Sequence, residues 1–478
     1  MRNYMRAFTR HLALAMLAWG ATLFGDNQTP TVSPILPGNG LPFQVTIEQD
    51  DFSLPNGIHS GAVGVHKGKW LFIAGRTNGL HGFEDDDDNF PPQAQNTFIY
   101  VVDPKTKSVV FRSLTDPSSG LSQEQVDFLS VTSPQSYQDG HRLYMTGGYG
   151  VDSSTGQFST KPILTAIDIP GLMHWVLHPD SRELATKYIR QIQDPIFQVT
   201  GGFMAKGADD LTLLIFGQNF TGFYETNANG NYTEQVRRFI IIDNGKELKV
   251  RIREPIPVEP YLDYRRRDLN VVPIVKHRHG KLKSGFVALS GVFTLTGGAW
   301  TVPVSINLHG VPYEPDPTAS TTFKQGMNNY VSAAFGMFSK KHRDMYTVLL
   351  GGISYGYFQE GEFETDDELP FINQVTTIKI KRGVYSQYIM PNQYPVILST
   401  QSNPGNQLLF GAGADFMLAD NVKVFKNGVI RLDDLPRNHP KVVGYIVGGI
   451  MSTLPNTNTQ SDSAASPYIF KVMVVRRD

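Results

Sequence analysis

The chain contains no cysteine in 478 residues. That absence excludes disulfide staples, thiolate metal sites, thiol catalysis and a lipid anchor on an N-terminal cysteine. Charge of one sign is missing as well: 43 basic residues face 44 acidic ones, for a formal net charge of −1, so no global field points to nucleic acid. Charged residues make up only 18% and tryptophan occurs four times. Beyond the N-terminus there is no apolar run of membrane-spanning length. A large cysteine-free chain must hold together by burial of its core, which a chain of this length can do.

What is plentiful is glycine (45), proline (30) and aromatic side chains (11%), the balance of an all-β protein with many turns. At the start, Arg2, Arg6 and Arg10 precede the apolar stretch Leu12–Phe24, followed by small residues at Gly20, Ala21 and Gly25. This pattern predicts an export signal over 1–25, cleaved near Thr22 or Asp26. With no cysteine, it points to a bacterial periplasm, outer envelope or exterior. Residues 26–41, rich in Pro, Thr and Gly, are expected to form a flexible leader, and 42–478 a single β domain.

The strongest internal signal is a recurring apolar strand that ends in glycine: "LFIAGRTNG" from Leu71, "LYMTGGYG" from Leu143, "LLIFGQNFTG" from Leu213, "VALSGVFTLTGG" from Val287, "VLLGGISYG" from Val348 and "YIVGGIMS" from Tyr445. Taking the first glycine of each copy aligns Gly75, Gly147, Gly217, Gly291, Gly351 and Gly448. Around each lie a preceding strand, a polar hairpin, a variable loop and two further strands. In the second unit these read "SVTSPQSY", "RLYMTGG", "KPILTAIDI" and "HWVLH". A four-stranded sheet buries both faces only by packing between neighbours, so the repeat predicts a radial array of sheets.

A hydrophobic strand closing on Gly-Gly, then a variable loop and an aromatic-bearing strand, resembles the kelch motif. Only the copies at Gly147, Gly351 and Gly448 carry both glycines. The resemblance implies a six-bladed β-propeller. The final unit stops one strand short, and Pro42–Asp50 is expected to supply the missing outer strand and close the ring with Pro467–Val475. The alternative is seven blades, with Val422–Leu435 starting an incomplete one.

The kelch resemblance also implies that the loops entering strand one and leaving strand two surround the mouth of a central channel. There it gathers His59, Arg76, Tyr149, Asn219, Arg267, Asp268, Asn270, Asn329, Tyr355 and Asp415 as ligand-binding candidates, groups that suit a glycan or another polar anion. The densest segment is "YRRRDLN" (Tyr264–Asn270), three arginines beside one aspartate, which could clamp a carboxylate or lock the blade entry. Acidic loops stand at Glu84–Asn89 and Glu364–Glu368. They lack the ligand spacing of a calcium loop, and no metal or cofactor is expected. Basic hairpins at His66–Lys69, Lys276–Lys283, Ser339–Arg343 and Arg437–Lys441 suggest a second face directed at an anionic surface.

"GISYG" (Gly352–Gly356) matches the nucleophile-elbow pattern, but an acidic loop follows it where that chemistry requires a helix. Without cysteine the chain cannot form the cysteine–tyrosine cofactor of the kelch-like galactose oxidases. Two functions remain. One is an exported binding or interaction module for a glycan, peptide or partner protein at the mouth. The other is an enzyme resembling the periplasmic sialic-acid mutarotases, working by metal-free acid–base chemistry.

Overall fold

The computed structural model describes residues 32–82, 89–225, 230–278, 280–457 and 461–477. The expected export signal lies outside the described residues. The fold is an all-β propeller. Five blades are each drawn from one continuous stretch of chain, every one a four-stranded antiparallel meander. The first runs through Ala62–His66, Lys69–Ile73, Phe98–Asp103 and Ser108–Ser113. The second uses Gln135–Asp139, Arg142–Thr146, Ile163–Asp168 and Ile189–Gln193, and the third Phe203–Lys206, Leu211–Ile215, Val236–Asp243 and Leu248–Ile256. Asn270–Arg278, Lys281–Leu289, Val304–Ile306 and Pro312–Tyr313 make the fourth; Ala333–Ser339, Asp344–Ile353, Phe371–Lys381 and Val384–Ile389 make the fifth.

The remaining large sheet is composite. Leu409–Leu418, Lys441–Ser452 and Tyr468–Arg476 come from the C-terminal end, and Phe43–Ser53 is laid antiparallel on the last of them, with Phe43 opposite Arg476 and Gln49 opposite Phe470. Phe43, Val45 and Ile47 are buried on alternate positions of that strand, so its period of two fixes which face meets the core.

Hydrophobic clusters fill the contacts between successive sheets. Leu71 and Ile73 pack toward the second blade, whereas Trp70 and Phe72 from the same strand pack toward Met417, Val447 and Ile469 of the composite sheet. Similar clusters join the second blade to the third around Leu164 and Phe239, the third to the fourth around Leu213 and Phe286, and the fourth to the fifth around Val287 and Leu349. The fifth meets the composite sheet around Tyr346 and Phe470. Burial on both faces is why these strands read as unbroken apolar runs instead of alternating ones.

Four expectations are corrected. "HWVLH" is not a strand but the end of a helix, Ile169–Leu177, started by Asp168, whose side chain accepts from the Gly171 N–H, and by Pro170 in the first turn; the fourth strand is Ile189–Gln193 instead. Val422–Leu435 does not begin a further blade. Its Ile430–Arg431 pairs parallel with Met337–Phe338 on the first strand of the fifth blade. Asp433 there accepts from the Ser339 hydroxyl and the Lys340 N–H, and Asn427 donates to the Ile274 carbonyl of the fourth blade. Part of the expected leader is ordered: Ile35–Pro37 pairs parallel with Gln387–Ile389 on the outer edge of the fifth blade. Finally, the described residues form five blades, each from one stretch of chain, beside a composite sheet, where six blades, or seven, were expected. On the hairpin face, Lys206 pairs with both Asp139 and Asp210.

Candidate functional site

The glycine repeat positions the site, in a register one residue different from the one expected. The structurally equivalent glycines are Gly75, Gly148, Gly217, Gly291, Gly352 and Gly449, all with φ between 82° and 106°. The residue before each is left-handed too: Ala74, Gly147, Phe216, Ser290, Gly351 and Gly448, with φ between 55° and 70°. In the lone-glycine copies it is therefore the first glycine that is replaced, by Ala, Phe or Ser. At Gly75 a Cβ would stand 2.4 Å from the His59 carbonyl oxygen, and the positive φ there favours glycine in any case.

Three rings of side chains follow from this geometry, one residue per sheet. The residues after the glycines are Arg76, Tyr149, Gln218, Val292, Ile353 and Ile450. Each bridges to a residue entering the first strand: His59, Thr132, Thr200, Arg267, Tyr330 and Ala412. The next positions, Ser60, Ser133, Gly201, Asp268, Val331 and Gly413, all have positive φ. They are tied around the axis by backbone hydrogen bonds: Ser133 N–H to Ser60 O, Gly201 to Ser133, Asp268 to Gly201, Ser60 to Gly413 and Gly413 to Val331. All eighteen residues line one cavity of about 310 Å³, with His81, Phe90, Tyr224, Phe293 and Leu369 added from the loops after strand two and Phe371 from the start of the fifth blade's third strand.

Of the expected site residues, the cavity brings together His59, Arg76, Tyr149, Arg267 and Asp268. Asn219, Asn270, Asn329, Tyr355 and Asp415 do not line it. Asn270 donates to the Asn329 carbonyl, joining the fourth blade to the entry of the fifth, and Asn329 in turn donates to the Gly351 and Gln374 carbonyls of the fifth blade. Asp415 is two residues further along its strand from Gly413, where burial raises its carboxyl to about 7. Asn219 pairs with Asn231 in a short loop hairpin, and the Tyr355 carbonyl accepts from the Asp366 N–H.

The three arginines of "YRRRDLN" go three ways, so they do not form a joint clamp. Arg265 stacks over Tyr232 at 3.9 Å and donates to the Phe293 carbonyl. Arg266 is fully buried against Glu314 (2.6 Å) and Trp300. Only Arg267 reaches the cavity, and each of its three nitrogens already donates: Nη1 to Asp268 (2.7 Å), Nη2 to the Tyr224 hydroxyl and Nε to the Tyr232 hydroxyl, both at 3.1 Å. Burial works to lower its pKa, but Tyr224, Asp268 and Tyr232 together raise it well above the ordinary value. Burial pushes Asp268 up against the pull of Arg267.

Arg76 is different. It is 2% exposed, donates from Nε to Asn78 and from Nη2 to the Pro91 carbonyl (both 3.0 Å), and lies 4.9 Å over the Phe90 ring. It forms no ion pair with any described carboxylate, and burial lowers its pKa to about 10, leaving it charged at neutral pH. Beside it, His59 accepts or donates through Nδ1 at the Ser60 hydroxyl (3.0 Å) while Nε2 has no hydrogen-bond partner. Burial, with Arg76 nearby, depresses His59 to about 3, and burial depresses His81 to about 4, so both imidazoles are neutral above that range.

The opposite wall is apolar. Val292, Tyr330, Ile353, Phe371, Ala412 and Ile450 form one hydrophobic cluster, joined by Leu80, Phe293 and Leu369. Sequence reasoning missed this wall. Val292, Ile353 and Ile450 would have been found by aligning the second glycine. The loop residues His81, Phe90 and Tyr224 have no periodic signal. Of the acidic loops, Glu84–Asp88 lie outside the described residues, while Asp367 and Glu368 stand exposed at the cavity rim. Ser354 of "GISYG" is buried, donating to the Gly356 carbonyl and accepting from the Asn328 N–H, which accounts for it structurally.

No family model matches the chain, and no curated protein matches it. Among solved structures, one titled "Structure of YjhT" is similar at 12% identity with a TM-score of 0.44, over 87% of this chain and 95% of that one.

Proposed function

We propose that this protein is an exported, degenerate kelch-type propeller, with the composite sheet as its sixth blade, that binds a small anionic ligand at the channel mouth. The observation that carries the reading is Arg76, a buried guanidinium that lines the cavity and has no carboxylate partner among the described residues. A buried charge left uncompensated is costly, so a site that keeps one is matched to an opposite charge. At about 310 Å³ the cavity stands at the small end of ligand pockets, which favours a single small molecule over a peptide or glycan chain. Arg267 positions Asp268 and the aromatic roof rather than receiving the anion.

A screen of small anions and their neutral analogues by thermal shift and calorimetry tests the reading. One charge-assisted hydrogen bond contributes roughly 1.5–3 kcal/mol, so Arg76→Gln should weaken an anion by about ten- to a hundred-fold. His277→Ala, on the hairpin side, should change nothing. Affinity that ignores Arg76 and falls on neutralising the hairpins would move the working surface to the other face.

The second reading, a metal-free sugar isomerase, is favoured by the unpartnered Nε2 of neutral His59 in the cavity wall. It requires that His59→Asn abolish anomer exchange, followed by NMR, while leaving the sugar's Kd unchanged.

A further inference from the structure

The cavity is divided by polarity. Arg76 and the hydroxyl and amide groups of the second and third blades occupy one side; Ile353, Phe371 and Ile450 occupy the other. The division is abrupt, because Leu80, four residues after Arg76, already belongs to the apolar cluster. A free sugar, which carries hydroxyls around its whole ring, would leave those on the apolar side without partners, and each buried group left unpaired weakens binding. Among the described lining residues the unpaired charge is single, since Arg267 is paired with Asp268 and held by two phenols. Two carboxylates, Asp367 and Glu368, are exposed at the rim and further disfavour a dianion.

We infer that the ligand is an amphipathic monocarboxylate with one aromatic or alicyclic ring or a short acyl chain, its carboxylate on Arg76 and its apolar body against Ile353, Phe371 and Ile450. This assignment rests on the anion-binding reading above and narrows it to a chemical class.

The test compares phenylacetate and cyclohexanecarboxylate with glucuronate, N-acetylneuraminate, acetate and neutral benzyl alcohol, by calorimetry on the full chain. The apolar acids should bind at least tenfold more tightly than any of the others. Arg76→Gln should reduce their affinity about ten- to a hundred-fold without changing that of benzyl alcohol, and Arg76→Lys should fall between. Ile353→Asn should weaken the apolar acids while sparing glucuronate. Circular dichroism and Tm of each variant establish folding, and Arg76→Lys keeps the test open if Arg76→Gln does not fold. Tighter binding of glucuronate or N-acetylneuraminate, still dependent on Arg76, would overturn the amphipathic assignment and leave the anion site standing. Absence of any Arg76-dependent anion binding would overturn both.

Discussion

Ala74 and Gly75 are adjacent left-handed residues that differ in what a side chain would meet. Ala74, with φ 63°, already accommodates its methyl in the buried core. Ala74→Gly relieves the left-handed strain and removes one methyl, two effects of about 1 kcal/mol and opposite sign, so the Tm should hardly move. Gly75→Ala drives a Cβ to within 2.4 Å of the His59 carbonyl at φ 89° and should cost about 2 kcal/mol or more. Equal melting temperatures for the two variants would contradict this account of the motif. Asp415 gives a pH-dependent case. Burial raises its folded pKa to about 7 from an ordinary 3.8, so the folded state holds a proton that the unfolded state has lost between those values. Its contribution is full below about pH 4 and is lost as pH rises through 7. Asp415→Asn should therefore stabilise the protein at pH 8 by on the order of 2–4 kcal/mol and much less at pH 5. Equal gains at both pH values would rule out burial of this carboxylate as the cause.

At the level of elements, two N-terminal segments edge two different sheets. Ile35–Pro37 adds a parallel strand to the fifth blade, and Phe43–Ser53 completes the composite sheet. The second is worth more, because Phe43, Val45 and Ile47 are buried in the cluster between those sheets at about 1.5–3 kcal/mol each. A chain starting at Gly40 should melt close to one starting at Ser33. A chain starting at Leu54 should lose most of its stability in a single transition, since removal bares Phe470, Val472 and Val474 along an open edge. Calorimetry of the three distinguishes them; unchanged melting of the shortest would mean that the ring does not depend on this strand.

For the molecule as a whole, the cavity and the insertion of the composite sheet lie on different parts of the blades. The mouth is built from the glycine turns and the loops after strand two, which are free to vary because the hydrogen-bonded ring beneath them is made of backbone. Near the hairpin end, the insertion between the first two strands of the composite sheet lies along the first strands of the fifth and fourth blades and buries Val422, Val429, Ile430, Leu432 and Leu435. The repeat is thus regular in its backbone and asymmetric in its side chains, with Arg76, Tyr149 and Gln218 following the glycines of the first three blades and Val292, Ile353 and Ile450 following those of the other sheets.

The propeller and its closing strand were legible in the sequence, because burial on both faces writes continuous apolar runs and left-handed turns demand glycine at fixed positions. The residues leaving those turns, Arg76 and Tyr149 among them, could be placed at the mouth for the same reason. Local pattern did not determine which glycine of a pair is the equivalent one, nor that "HWVLH" would be helix, since a helix turn and a short strand carry similar apolar runs. The tertiary structure alone decided that Arg267 pairs with Asp268 and two tyrosines while Arg76 has no carboxylate partner among the described residues. Pairing depends on which side chains arrive from other blades and from long loops without periodicity. The apolar wall of the cavity has the same origin: Ile353, Phe371 and Ile450 are ordinary core residues along the chain, and they meet only where the fifth blade and the composite sheet converge.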